Sequence, residues 1–139
     1  MTDPLRVPER ASRWKVRAGI ALSTIAVLFL LFDSTGKLLK VAPVVAGTEL
    51  LGYPESVIRT LGVILLLCVV TYVIPRFSIL GAVLLTGYLG GAIATHVRAG
   101  SPLLTHVLFP IYLGVFIWGG LLLRDRRLPG LLVSRGRTV

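Results

Sequence analysis

His96 closes one long apolar run, His106 opens the next, and Arg98 lies between them. Imidazole changes protonation near neutral pH, so two such rings held close can relay protons or hydrogen-bond a quinone carbonyl. The short link Ala99-Gly100-Ser101-Pro102 holds them close. The plainer competitor is a pair of boundary histidines bonded to backbone carbonyls or water. Zinc takes three or four protein ligands, and no further ligands accompany the two histidines, so no metal is expected. Tyr88, Ala92 and His96 recur every four residues and share a helix face. Asp33 and Lys37, and again Glu55 and Arg59, stand at the i,i+4 spacing of an ion pair on one helix face. Ionisable groups at membrane depth are costly and are functional hypotheses by default. Asp33, Lys37, Glu55, Arg59, Tyr88, His96, Arg98 and His106 are therefore the ligand-binding candidates, expected to gather on one side of the molecule. No catalytic motif is complete.

All of these but Tyr88, which falls midway along the third, lie at or near the ends of four apolar stretches, about Val16–Phe32, Val57–Ile74, Ser78–Val97 and Leu103–Leu123. Hydrophobic residues make up 55% of the chain, and mean hydropathy is +0.86, beyond the usage of soluble domains. Each stretch approaches the ~20 residues that cross a hydrocarbon core as a helix, the form that satisfies all backbone groups internally. The expected fold is all-α, a four-helix membrane bundle. Residues 16–123 form its single transmembrane domain, flanked by a basic segment 1–15 and a basic tail 124–139. No small-residue cleavage site closely follows Phe32, so the first span is expected to remain as an anchor.

Lysine and arginine set orientation. Arg6, Arg10, Arg13, Lys15, Arg17, Arg76, Arg124, Arg126, Arg127, Arg135 and Arg137 fall on one side, against Lys37, Lys40, Arg59 and Arg98 on the other. Both termini are thus expected in the cytoplasm, with an even number of crossings, in a bacterial plasma membrane. The formal charge of +9 is read as attraction of span-flanking residues to anionic lipid, and no nucleic-acid partner is expected. Cys68 is the single cysteine, which excludes an intrachain dithiol.

Residues 34–56 are too polar to span, and are expected to lie as short amphipathic pieces on the outer surface. Pro54-Glu55-Ser56 would open the second span with proline in its first turn. Gly87, Gly91 and Thr95 form a small-xxx-small ridge for close helix packing, with Gly119 and Gly120 as a possible facing groove. Pro110 removes a helical donor, and a kink is expected there. Trp14, Tyr53, Tyr112 and Trp118 suit interfacial anchoring.

Gly36-Lys37-Leu38-Leu39, Leu51-Gly52-Tyr53-Pro54, the string Gly87 to Arg98, and Pro110, Tyr112, Leu113 with Trp118-Gly119-Gly120 resemble the DoxX-like membrane proteins. The resemblance covers about Ala21 to Leu128. It implies a small four-helix membrane protein, with relatives placed in quinone-linked sulfur oxidation, in membrane oxidoreductase complexes and in assembly of other membrane proteins. The expected function is an accessory subunit that binds a quinone or lipid near the outer leaflet for a membrane redox partner. The alternative is a non-catalytic assembly or interaction factor for other membrane proteins. Homo-oligomers fit either. Any electron transfer would need a bound quinone or a second subunit.

Overall fold

The computed structural model describes residues 9–125, 127 and 128, with side chains from Arg13 onward. Five α-helices form it: α1 (Glu9–Leu38), α2 (Ala42–Leu50), α3 (Glu55–Val73), α4 (Ser78–Arg98) and α5 (Phe109–Arg124), with a π-helical turn at Leu103–Val107 before α5. Four segments are long and apolar enough to cross a membrane: Arg13–Leu38, Glu55–Val73, Ser78–Arg98, and Leu103–Arg124, which joins the π turn to α5. This is the four-helix membrane bundle that the apolar stretches predict. Only 22% of the apolar stretch of α1 and 33% of each of the others is buried within the protein. Phe32, Leu28, Leu67, Val83 and Val115 point outward, a surface that lipid satisfies and water would not.

α1 packs between α3 and α5, and α4 closes the ring by packing on both of them. The core runs along this axis through Ala26, Leu30, Leu65, Val69, Tyr72, Leu85, Ile117 and Leu121. Its main polar tie is the Tyr72 hydroxyl, which donates to the Ile117 carbonyl at 2.9 Å and so accepts from Ser23 Oγ at 2.9 Å, linking α3 to α5 and α1. Ser34 Oγ donates to the Gly62 carbonyl at 3.0 Å, fastening α1 to α3 nearer the other end.

Helix ends explain the links. α1 stops where Lys40 takes a positive φ of 51°, with Val41 N bonded to Gly36 O and Lys40 N to Lys37 O. This is a Schellman closure with lysine in the left-handed position that glycine usually fills. Gly52 after α2 and Gly100 after α4 close their helices in the same way with glycine. Pro54 is the N-cap of α3, and the first helical residue is Glu55. The proline therefore stands one place outside the first turn that its sequence suggests. Near Pro110 the last span is broken between the π-helical turn and α5, with Pro110 in the first turn of α5. A proline at that position has no helical acceptor to lose. The α3–α4 turn and the outer ends of α1 and α5 make one end of the bundle, the terminal end. The segments 39–54 and 99–108 make the other, the distal end.

Candidate functional site

A cavity of about 370 Å³ opens at the distal end, walled by α1, α4 and α5 with Leu61 of α3, and roofed by α2 and the α2–α3 link. That volume lies in the range of small-molecule sites. Phe29 and Leu30 of α1, Leu89 of α4 and Phe109, Pro110 and Leu113 of α5 supply its apolar walls. Phe29 and Phe109 meet edge to face with ring centroids 4.8 Å apart, joining α1 to α5 beside the cavity.

Asp33 and Lys37 enter from α1 one turn apart. The ammonium of Lys37 donates to Asp33 Oδ2, and the side chains are 13% exposed for Lys37 and 31% for Asp33. The Lys37 stem is held in place by α3, where a Cβ on Gly62 would lie 2.9 Å from Lys37 Cβ. Opposite, α4 presents Tyr88, Ala92 and His96 together with Gly87, Gly91 and Thr95. Thr95 Oγ1 donates to the Gly91 carbonyl at 2.9 Å, so it accepts from the Tyr53 hydroxyl at 2.8 Å. That bond ties the α2–α3 link to α4 above the cavity. Thr48 of α2 also lines it, its Oγ1 bonded to the Val44 carbonyl at 2.7 Å. His96 Nδ1 is 3.1 Å from Ser101 Oγ, which fixes the ring and leaves Nε2 as its other polar atom. The half-buried Tyr88 hydroxyl has no hydrogen-bond partner among the described residues. It is a polar group held between apolar walls with its donor unused.

Of the candidate residues, Asp33, Lys37, Tyr88 and His96 line this cavity, and four others do not. His106 is exposed on the π-helical turn, with its ring centroid 5.7 Å from that of His96 and its Nδ1 2.7 Å from Thr105 Oγ1. Arg98 is a brace, donating from Nη2 to the Leu51 carbonyl at 2.7 Å. Glu55 does not pair with Arg59. Its carboxylate accepts from Lys40 Nζ at 2.8 Å, because the α1 closure swings Lys40 over the start of α3, and Arg59 stays exposed. Tyr53, Thr48, Phe29 and Phe109 join the site through tertiary packing. The string Leu51-Gly52-Tyr53-Pro54 suits Tyr53 to interfacial anchoring, whereas its hydroxyl bonds Thr95, and no motif in the sequence marks Thr48.

The small-residue positions also differ from expectation. A Cβ at Gly87, Gly90 or Gly91 would meet no atom of a neighbouring element within 4 Å, so no helix among the described residues packs closely against them, and Gly87 and Gly91 instead line the cavity. The close crossings use other glycines. A Cβ on Gly19 would stand 2.8 Å from the Gly120 carbonyl, and one on Gly120 2.9 Å from the Gly19 carbonyl. Gly81 lies directly against the Tyr72 backbone. Gly119 meets only Leu22 Cδ1, at 3.8 Å.

A bundle of four apolar spans agrees with a comparison against known families. The sequence model of the DoxX-like family matches residues 21–120. The chain belongs to the DoxX-like family. The match takes in α2, α3, α4 and the π-helical turn whole, with most of α1 and α5, and so includes every residue that lines the distal cavity. No curated protein and no solved structure matches the chain. This DoxX-like protein is an integral, multi-pass membrane protein by its family and its four apolar spans.

Proposed function

We propose that the distal cavity binds the head of a quinone, or of a lipid of similar shape, and that the protein serves a membrane redox partner as an accessory subunit. The observation that carries this reading is Tyr88, whose hydroxyl has no hydrogen-bond partner among the described residues, lining the same cavity as Lys37 and His96. A quinone head offers carbonyl acceptors on a flat apolar ring, and the cavity offers donors set among Phe29, Leu30 and Leu113. Its tail would lie among the lipid chains. Any redox chemistry belongs to the quinone and the partner, and the role of this chain is to hold and orient the head. The excess of lysine and arginine at the other end supports an orientation in which this cavity faces the outer leaflet.

The test is retention of added quinone by the protein in nanodiscs, read by native mass spectrometry. Wild type should keep one quinone, Tyr88→Phe should lower retention roughly fivefold to tenfold through loss of one hydrogen bond, and Val83→Ala on the lipid face should leave it unchanged. Equal retention by wild type, Tyr88→Phe and His96→Ala, or none by any, would overturn the reading. A second reading, an interaction factor for other membrane proteins, is favoured by the bare surface at Gly87, Gly90 and Gly91. Gly90 lies outside the cavity lining, so loss of a co-purifying membrane protein in Gly90→Leu with quinone retention intact would select that reading.

A further inference from the structure

At the opposite end of the bundle a second cavity, of about 760 Å³, lies between α1, the α3–α4 turn and the end of α5. Val16 and Ile20 form its apolar side, and Arg76, Arg124 and Arg127 bring three guanidinium groups to it against the single carboxylate of Asp125. That carboxylate is already engaged, accepting from the Arg127 backbone N–H through Oδ1 at 2.9 Å. Neither Arg76, Arg124 nor Arg127 forms a salt bridge among the described residues. The Arg124 guanidinium carbon sits over the Tyr72 ring, 4.9 Å from its centroid, a cation–π contact. Its Nη2 is buried without a hydrogen-bond partner among the described residues. A buried charged donor left without an acceptor is costly, and nothing among the described residues supplies one. The amino end of α4, a helix of 21 residues, adds its positive dipole end through Ser78.

We infer that this cavity is a binding site for an anionic phosphate, the phosphate diester of an acidic lipid headgroup, with Arg124 as its inner contact and Arg76 and Arg127 as its outer ones. Guanidinium groups match phosphate oxygens in geometry and charge. The apolar strip of Val16 and Ile20 continues into the lipid-facing surface of α1, where Ile20 is 51% exposed. A headgroup seated among the arginines can therefore leave its acyl chains in the bilayer. The site is remote from the quinone cavity and stands whether or not that reading holds.

The experiment uses the full chain in nanodiscs of phosphatidylcholine doped with phosphatidylglycerol, with lipids retained after gentle detergent release counted by native mass spectrometry. Wild type should retain phosphatidylglycerol over phosphatidylcholine. Arg76→Gln and Arg127→Gln, both at exposed positions, should each lower that preference roughly fivefold, and Arg124→Gln should lower it at least as much. Arg59→Gln at the distal end, an exposed position outside both cavities, should leave it unchanged. Competition by millimolar inorganic phosphate would assign the site to free phosphate, and resistance to it would assign it to the lipid. No preference in wild type together with no phosphate binding, or a preference untouched in Arg76→Gln and Arg127→Gln, would overturn the site. Those two variants keep the test decisive if Arg124→Gln fails to fold.

Discussion

Lys37 is 13% exposed and Asp33 31%, so the ion pair between them has only partial help from solvent. Removing one partner of such a pair leaves a charge to be desolvated alone, whereas removing both leaves only a change in packing. Lys37→Met should therefore lower the thermal unfolding temperature in detergent more than Asp33→Asn/Lys37→Met does. A double variant as unstable as the single one would show that the uncompensated Asp33 charge is not the source of the loss. Lys40 is a different case. Its left-handed backbone costs roughly 1–2 kcal/mol, and its bond to Glu55 is exposed, so that bond alone returns little. The Schellman hydrogen bonds and the need to turn the chain over α3 hold that conformation. Neither the partner of Glu55 nor the unpaired state of Tyr88 follows from i,i+4 spacing, because both depend on where α2 and the loops place a distant residue.

Helix association in lipid lacks the usual hydrophobic drive, so packing at small residues carries much of it. The bundle places that contact at Gly19 and Gly120 between α1 and α5, and at Gly81 between α4 and α3. A Cβ at Gly81 would overlap the Tyr72 backbone, which cannot rotate away as a side chain can. Gly81→Ala should thus destabilise the bundle by about 2 kcal/mol or more, seen as a lower unfolding temperature, while Gly91→Ala should shift it little because open space lies above that position. Equal effects would show that Gly91 is covered in the membrane by another chain. The ridge at Gly87, Gly91 and Thr95 has the same spacing as a packing ridge, and periodicity alone does not distinguish a face against a neighbouring helix from a face on a cavity. α2 is the other element that spacing left unresolved. Its polar and apolar residues predict an amphipathic surface segment, and its role as a roof comes from the Thr48 side chain facing the cavity and the Tyr53 bond to Thr95.

At the scale of the whole molecule the two ends carry different chemistry, a roofed pocket with an ion pair at one and an open arginine-lined cavity at the other. The positive-inside rule predicts a cytoplasmic arginine end, and cysteine labelling tests it. In a Cys68→Ala background, Glu49→Cys at the distal end should react with an impermeant maleimide in intact cells, and Arg76→Cys should react only after the membrane is permeabilised. The reverse pattern would invert the protein and both proposed sites with it. The class of protein, the number of crossings and the family were legible in the sequence, because long apolar runs must be helices in lipid and the motifs from Gly36 to Gly120 are contiguous strings. Asp33, Lys37, Tyr88 and His96 were legible as well, since costly polar groups stand out against apolar spans. Only the tertiary structure decided which of them share a cavity, that Thr48 and Tyr53 complete it, that Arg98 and Glu55 are braces, and that the close crossings belong to Gly19, Gly81 and Gly120. The physical reason is that spacing along a helix fixes which residues share a face, while the rotation of each helix and the path of its links fix what that face meets.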